Sequence, residues 1–386
     1  MIGLMMCGAS FAQSQVTIYG LLDEGLLVNT NSGGKHLVAL QSGVMQGNRW
    51  GLLGKEDLGG GVSVVFRLEN GFDLSSGALG QGGREFGRQA YVGLSNGFGT
   101  ITMGRHFDPI GDYVGPFGVG VGGSASIAAH PGDIDQFLSQ YRINNSVKFV
   151  SKPVAGLSYA ALYSVGGVAG DFSRNQIWAL GAGYLNGPVA LGVAYFNSRN
   201  PNIGLAGGGA NVSTSVSAAT SYFASPVVSG FSSAHTYQIA TGGGAYTFGA
   251  ATIDVTYSNV RFMGLNDLSS GPNAAGYRGT AVLQNAEINL KYSVTPAFVV
   301  IGAYNYTWGS SVSTAAGSEP GAKYNQVSLS GDYFLSKRTD VYVTGVFQRA
   351  SGTDSRDKPA VASLAGLTPS TNNRQLALRF GMRTKF

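Results

Sequence analysis

The side chains best suited to acid–base, nucleophilic or metal chemistry are few in this 386-residue chain: one cysteine, Cys7, and four histidines, His36, His106, His130 and His235. The histidines form neither an HExxH nor an HxH spacing, and a single thiol cannot build a disulfide framework, a thiolate zinc site or an iron–sulfur cluster. No metal and no cofactor is expected. Serine is plentiful, yet there is no GxSxG elbow and no histidine at a recognisable spacing from a nucleophile, so no catalytic residue is assigned and an enzyme is not expected. The run Gly118-Val119-Gly120-Val121-Gly122 resembles a phosphate cradle only in composition, because no strand-to-helix setting surrounds it. The 25 basic and 20 acidic residues leave a formal charge of +5. The basic ones are scattered singly, which argues against nucleic acid as a partner.

The chain is therefore read for architecture. Sixty glycines, and charged residues at only 12%, depart from the average usage of about 7% and about 25%. Beyond the first dozen residues no stretch approaches the ~18 apolar residues of a membrane helix, although 44% of the chain is hydrophobic. The apolar start, ending in Ser10-Phe11-Ala12 with small residues at the minus-three and minus-one positions of a cleavage site, predicts an export signal over 1–12. No shift of composition marks a boundary in the remainder, 13–386, which is read as one domain.

Several segments alternate with a period of two. In Glu287-Ile288-Asn289-Leu290-Lys291-Tyr292 the odd positions are polar and the even ones apolar, and 252–258, 326–330 and 62–69 behave alike. Sixteen strands are predicted at 15–27, 46–57, 61–72, 87–95, 99–106, 144–151, 156–165, 175–185, 188–198, 235–247, 250–262, 282–293, 297–308, 323–334, 339–350 and 374–386. An even count lets an antiparallel barrel close. Connections alternate: tight turns such as 57–60, 95–98, 185–188 and 335–338, rich in turn-forming residues, are interleaved with long stretches at 28–45, 73–86, 107–141, 166–174, 199–234, 263–281, 309–322 and 351–373. Long loops on one rim and short turns on the other are the habit of outer-membrane barrels.

Charged residues share one strand face and Val, Leu, Ile and Tyr the other, with no helices left to cover the apolar side, so lipid must cover it. Aromatics gather toward strand ends, as in Trp178 with Tyr184, Tyr292, Tyr304 with Trp308, and Tyr324 with Tyr333, as interfacial girdles require. In the last strand Leu376, Leu378, Phe380, Met382 and Phe386 share one face, while Gln375, Arg379, Arg383 and Lys385 share the other.

The motifs Gln15-Val16-Thr17-Ile18-Tyr19-Gly20, Arg49-Trp50-Gly51-Leu52, Glu56-Asp57-Leu58-Gly59-Gly60-Gly61, Leu68-Glu69-Asn70-Gly71-Phe72 and Arg88-Gln89-Ala90-Tyr91-Val92-Gly93-Leu94, with the terminal strand, resemble the general diffusion porins of Gram-negative bacteria, particularly the β-proteobacterial branch. The resemblance spans essentially the whole mature chain. It implies an all-β fold, a sixteen-stranded antiparallel transmembrane β-barrel with short periplasmic turns, long extracellular loops and an infolded third loop. It also implies a homotrimer in outer-membrane lipid and lipopolysaccharide, passing inorganic ions and small hydrophilic solutes without energy input. Phe386, the terminal residue on the apolar face, resembles the signal read by the outer-membrane assembly machinery.

In that family acidic groups on the third loop face basic groups on the barrel wall. Carried over, the acidic set is Asp108, Asp112, Asp133 and Asp135, and the basic wall is Arg49, Arg88 and Arg142. Parity favours an inward Arg142, alongside Asn144, Ser146 and Lys148. Arg88 shares parity with Ala90, Val92 and Leu94, so its inward assignment, like that of Arg49, rests on the cost of about 2–4 kcal/mol for an arginine facing lipid at mid-depth. Arg67, Lys148, Lys291, Arg379 and Arg383, opposed by Glu69, Asp254, Glu287 and Asp332, are further expected lumen charges. Three converging arginines predict weak anion preference. A substrate-specific channel or a surface adhesin on the same barrel is the alternative.

Overall fold

The computed structural model describes residues 14–209, 216–315 and 317–386. The expected export signal lies outside them. Sixteen strand positions close into one antiparallel barrel. They are β1 (Gln15–Ser32), β2 in two stretches (Lys35–Ser42 and Arg49–Gly59), β3 (Val62–Gly71), β4 (Gln89–Ser95), β5 (Gly99–His106), β6 (Ile143–Ser151), β7 (Leu157–Ser164) and β8 (Ile177–Asn186). The second half comprises β9 (Val189–Arg199), β10 (Thr236–Phe248), β11 (Ala251–Leu265), β12 (Gly279–Thr295), β13 (Phe298–Gly309), β14 (Lys323–Phe334), β15 (Thr339–Ser351) and β16 (Arg374–Lys385).

The seam joins β1 to β16 from Leu21↔Lys385 to Asn29↔Ala377. It is extended by reciprocal backbone bonds between Gly20 and Phe386 at 3.0 and 3.1 Å. Gly20 leaves room there for the Phe386 ring, since a Cβ would sit 2.2 Å from the ring's tip. Closure leaves no barrel strand without two hydrogen-bonded neighbours, the condition for a sheet to exist in hydrocarbon.

One expectation is corrected at the start of the barrel. Residues 28–45 were expected to form a long polar loop; instead β1 runs to Ser32 and returns at once through Gly33 and Gly34, whose φ values of +60° and +95° suit a two-residue hairpin. β1 pairs with Arg49–Gly59 along its first half and with Lys35–Ser42 along its second, so the two stretches occupy one barrel position. The break at 43–48 folds inward, where Asp23 accepts from Gln46 N at 2.7 Å and its carbonyl accepts from Gly43 N at 2.8 Å.

Parity elsewhere behaves as the pleat dictates. On β11, Ile253, Val255 and Tyr257 are exposed on the outside while Asp254, Thr256 and Ser258 are buried inside. On β14, Val327 and Leu329 alternate with Gln326, Ser328 and Ser330 in the same way. Tyr304 and Tyr333 point outward, but Tyr324 is fully buried and points in. An odd separation along a strand places Tyr324 and Tyr333 on opposite faces, so they cannot share a girdle.

Leu329 is 63% exposed midway along β14. Leu329→Arg should destabilise the folded protein in lipid vesicles by about 2–4 kcal/mol, read as a lowered denaturation midpoint. An unchanged midpoint would mean that this face meets water.

Candidate pore constriction

The third loop, 107–142, turns into the barrel rather than standing over it. It begins with a one-turn helix, Pro109–Tyr113, capped by the Asp108 side chain, which accepts from Ile110 N at 2.7 Å. Pro109 at the first helical position has no N–H to leave unsatisfied, which is why Asp-Pro starts a helix here. The middle of the loop is fastened to the wall formed by β10, β11, β12 and β14. The Tyr237 hydroxyl donates to Ile134 O at 2.5 Å, Asn289 Nδ2 to Phe117 O at 2.8 Å, and Gln326 Nε2 to Ala128 O at 2.8 Å and Ala129 O at 3.0 Å.

His130 is the centre of this attachment. Its Nδ1 lies 2.6 Å from Asp135 Oδ2 and its Nε2 3.1 Å from Glu287 Oε2, all three side chains being essentially solvent-free. Glu287 also accepts from Val119 N at 2.7 Å, and Asp135 from the Ser258 hydroxyl at 2.7 Å. Burial pulls the imidazole pKa down, but the two carboxylates outweigh it and hold His130 at about 10. The imidazolium therefore offsets one of the two carboxylate charges buried beside it, which would otherwise be costlier to bury.

On the opposite side the loop leaves a cavity of about 720 Å³, lined by Arg49, Arg88 and Arg142 and by Asp112 and Asp133. Arg88 and Arg142 lie over the Phe107 ring at 5.6 and 5.1 Å. Arg88 Nε also bonds Glu69 Oε1 at 2.8 Å, while Glu69 Oε2 accepts from the Tyr19 hydroxyl at 2.7 Å. The parity problem at Arg88 has a simple resolution: β4 begins at Gln89, so Arg88 belongs to the preceding loop and is free of the alternation that sends Val92 and Leu94 outward. Arg142 likewise precedes β6, and the positive φ of +48° at Asn145 breaks the parity expected to link it with Ser146 and Lys148. It reaches the cavity as the last residue of the loop.

The loop carboxylates do not act as one set. Asp112 lines the cavity and pairs with Lys148 at 2.5 Å. Asp108 and Asp135 are fully buried in capping and anchoring and do not line the cavity, contrary to the expectation that all four face the basic wall. Asp133 lines it but is only 3% exposed. Burial, reinforced by the Asp135 charge, raises the Asp133 pKa to about 8, and burial raises that of Asp108 to about 7.

The other expected lumen charges all point inward, several already paired. Lys291 meets Asp254 at 3.1 Å, Arg383 meets Asp340 at 2.9 Å and Asp332 at 3.6 Å, and Arg67 covers the Tyr19 ring at 5.5 Å. Arg379 is corrected: it is completely buried against Asp23 at 3.4 Å and the Tyr342 hydroxyl at 3.2 Å, sealed from the pore by the inward break at 43–48. Glu287 is likewise covered by the loop. Sequence reasoning missed His130, Asp23, Asp340 and Phe107. Only Asp340 carried a local signal, since its place directly opposite Arg383 follows from strand register.

A closed barrel with an apolar outside, a polar inside and a loop folded across its lumen is a transmembrane channel of the outer-membrane type. The family model described as Gram-negative porin matches residues 1–353. The chain belongs to that family: it is an outer-membrane general diffusion porin. It is 29% identical over 373 residues to an outer membrane porin protein of Bordetella pertussis, covering 89% of this chain and 91% of that one. It is 28% identical over 214 residues to outer membrane porin protein 32 of Delftia acidovorans, covering 53% and 60%. Among solved structures, the anion-selective porin from Comamonas acidovorans superposes with a TM-score of 0.72 at 20% identity, covering 97% of this chain and 100% of that one.

Because the His130 pKa is raised, its attachment is complete below the ordinary histidine value near 6.5 and is lost as pH rises through about 10. Single-channel current noise should thus be flat between pH 6 and 8 and grow near pH 10, whereas His130→Ala should be noisy throughout. A quiet His130→Ala channel would show that the loop is held by other contacts.

Proposed function

We propose that Arg49, Arg88 and Arg142 form the selectivity filter of this porin and make it weakly anion-preferring. The observation that carries the reading is the imbalance around the cavity: three guanidiniums, of which Arg88 is paired with Glu69, against two carboxylates, of which Asp112 is paired with Lys148 and Asp133 is held largely protonated at pH 7, so that Arg49 and Arg142 leave the lining positive. A low-dielectric wall keeps such a field from being fully screened, the Debye length being about 8 Å at physiological salt. The solved porin from Comamonas acidovorans is described as anion-selective. Hydrophilic solutes would cross by diffusion, with the arginine side as the open path. The family resemblance further implies a homotrimer, a cleaved signal over 1–12 and recognition of Phe386 by the assembly machinery.

In planar bilayers under a KCl gradient the reversal potential should have the sign of chloride preference. Each of Arg49→Ala, Arg88→Ala and Arg142→Ala should shift it toward potassium, and unchanged potentials in all three would remove the filter. Asp133 adds a pH dependence. Its raised pKa makes it neutral below about 8 and charged above, so anion preference should fall as pH rises through that value, and Asp133→Asn should abolish the step.

A further inference from the structure

The cavity beside the arginines has an apolar side that the passage of inorganic ions does not use. Val121 and Leu138 of the third loop, Ala224 of the 200–235 loop between β9 and β10, and Leu367 and Pro369 of the 352–373 loop between β15 and β16 all line it, and none of the five is buried. The pleat does not put them there. Inward positions on the strands are polar, as Asp254, Thr256, Gln326 and Ser330 are, because water fills the barrel. The apolar side chains come from loops alone.

Those loops are fastened to the wall and to one another. Ser363 N donates to Gln348 Oε1 at 2.6 Å and Leu364 N to Gln375 Oε1 at 3.0 Å, which lays the stretch before Leu367 on the inner face of β15 and β16. The Ser355 hydroxyl donates to Pro226 O at 2.7 Å and accepts from Gly230 N at 2.9 Å, tying the same loop to 200–235. Val227 and Val228 share a buried apolar cluster with Phe137 of the third loop, and Leu364 shares another with Val119 and Ile127. Close packing of these neighbours holds the exposed side chains in place. Across the cavity, Arg88 and Arg142 lie over the Phe107 ring, and of the three arginines only Arg88 has an ion-pair partner among the described residues. Arg142 Nε is a buried donor without an acceptor. A guanidinium stacked on an aromatic face keeps its edge free for a planar anion.

We propose that this cavity is a binding site for amphipathic organic acids, with the carboxylate held by Arg49 and Arg142 and an aromatic or branched apolar body lying against Val121, Leu138, Leu367 and Pro369. Guanidinium and carboxylate match in a planar geometry of two charge-assisted hydrogen bonds. The volume of about 720 Å³ falls within the range of roughly 300–1,000 Å³ typical of small-molecule sites, in which apolar groups supply contact and a few charged ones set orientation. Chloride uses the arginines alone, whereas an acid with an apolar body uses both sides and is concentrated in the pore over a short-chain acid of the same charge. The proposal rests on the arginine filter and adds the apolar side to it.

The test is block of the KCl current in planar bilayers by 3-phenylpropanoate, by propanoate and by the uncharged 3-phenylpropanamide. Wild-type channels should be blocked saturably by 3-phenylpropanoate, with an inhibition constant on the order of tenfold below that of propanoate because the ring leaves water on binding. The amide should block far less than the aromatic acid. The double variant Leu138→Ser, Leu367→Ser should bring the two acids within about twofold of one another, its conductance steps reporting a folded barrel. Leu367→Ser alone should lower the ratio by a smaller factor, which serves if the double variant opens no channels. Arg142→Ala should weaken both acids and keep their ratio. Chloride preference in a KCl gradient together with equal block by the two acids, or a tenfold ratio that survives the leucine substitutions, would overturn the apolar side and leave the filter standing. Block by the amide as strong as by the aromatic acid would overturn the carboxylate's attachment to the arginines. Potassium preference in the wild type would remove the filter and this site with it.

Discussion

Hydrocarbon offers no partner to a peptide group, and this single fact decides most of the molecule. Every backbone N–H and C=O at membrane depth must bond within the chain, so the sheet has to close on itself, and the β1–β16 seam is where closure happens. The seam is reinforced on its inner side by a buried charge, Arg379, that Asp23 and Tyr342 fully surround. Closure also imposes the period of two: with lipid outside and water inside, each strand must alternate between Val, Leu or Tyr and Asn, Gln, Ser or a charge.

A barrel of this girth would be a featureless pipe without the third loop. The loop's position follows from a second electrostatic requirement, that buried carboxylates be paired. Asp135 and Glu287 come from opposite sides of the loop–wall contact and are reconciled by His130 between them. With Asp108 and Asp135 committed to capping and to holding the loop against one wall, Arg88 is the one guanidinium of the other wall that pairs with a carboxylate, Glu69, among the described residues. The asymmetry of the lumen is thus a by-product of how the loop is fastened.

Most of the barrel was legible in the sequence because alternation and turn chemistry are local. Strands such as 287–292 and 326–330 announce both their existence and their inner face. The hairpin at Gly33-Gly34 escaped because Leu37-Val38-Ala39-Leu40 does not alternate, and an apolar run beside polar residues gives no period to read. At the site, residue types were legible but burial was not. Arg88 gave a parity conflict only because the strand was taken to begin two residues early, at 87 rather than at Gln89. Asp108 stands before Pro109 as a helix cap, a reading open to local inspection, whereas the bond from His130 to Glu287 joins residues 157 apart and leaves no trace in either neighbourhood.

On the proposed function, anions travel between the third loop and the wall bearing Arg49, Arg88 and Arg142, the opposite gap being closed by His130 and its partners. Diffraction from crystals soaked in bromide, with anomalous maps, examines this directly. Bromide peaks are expected beside those three guanidiniums and none between the loop and the strands carrying Tyr237, Ser258 and Glu287. Bromide in that second gap, or a loop detached from it, would rule out this path.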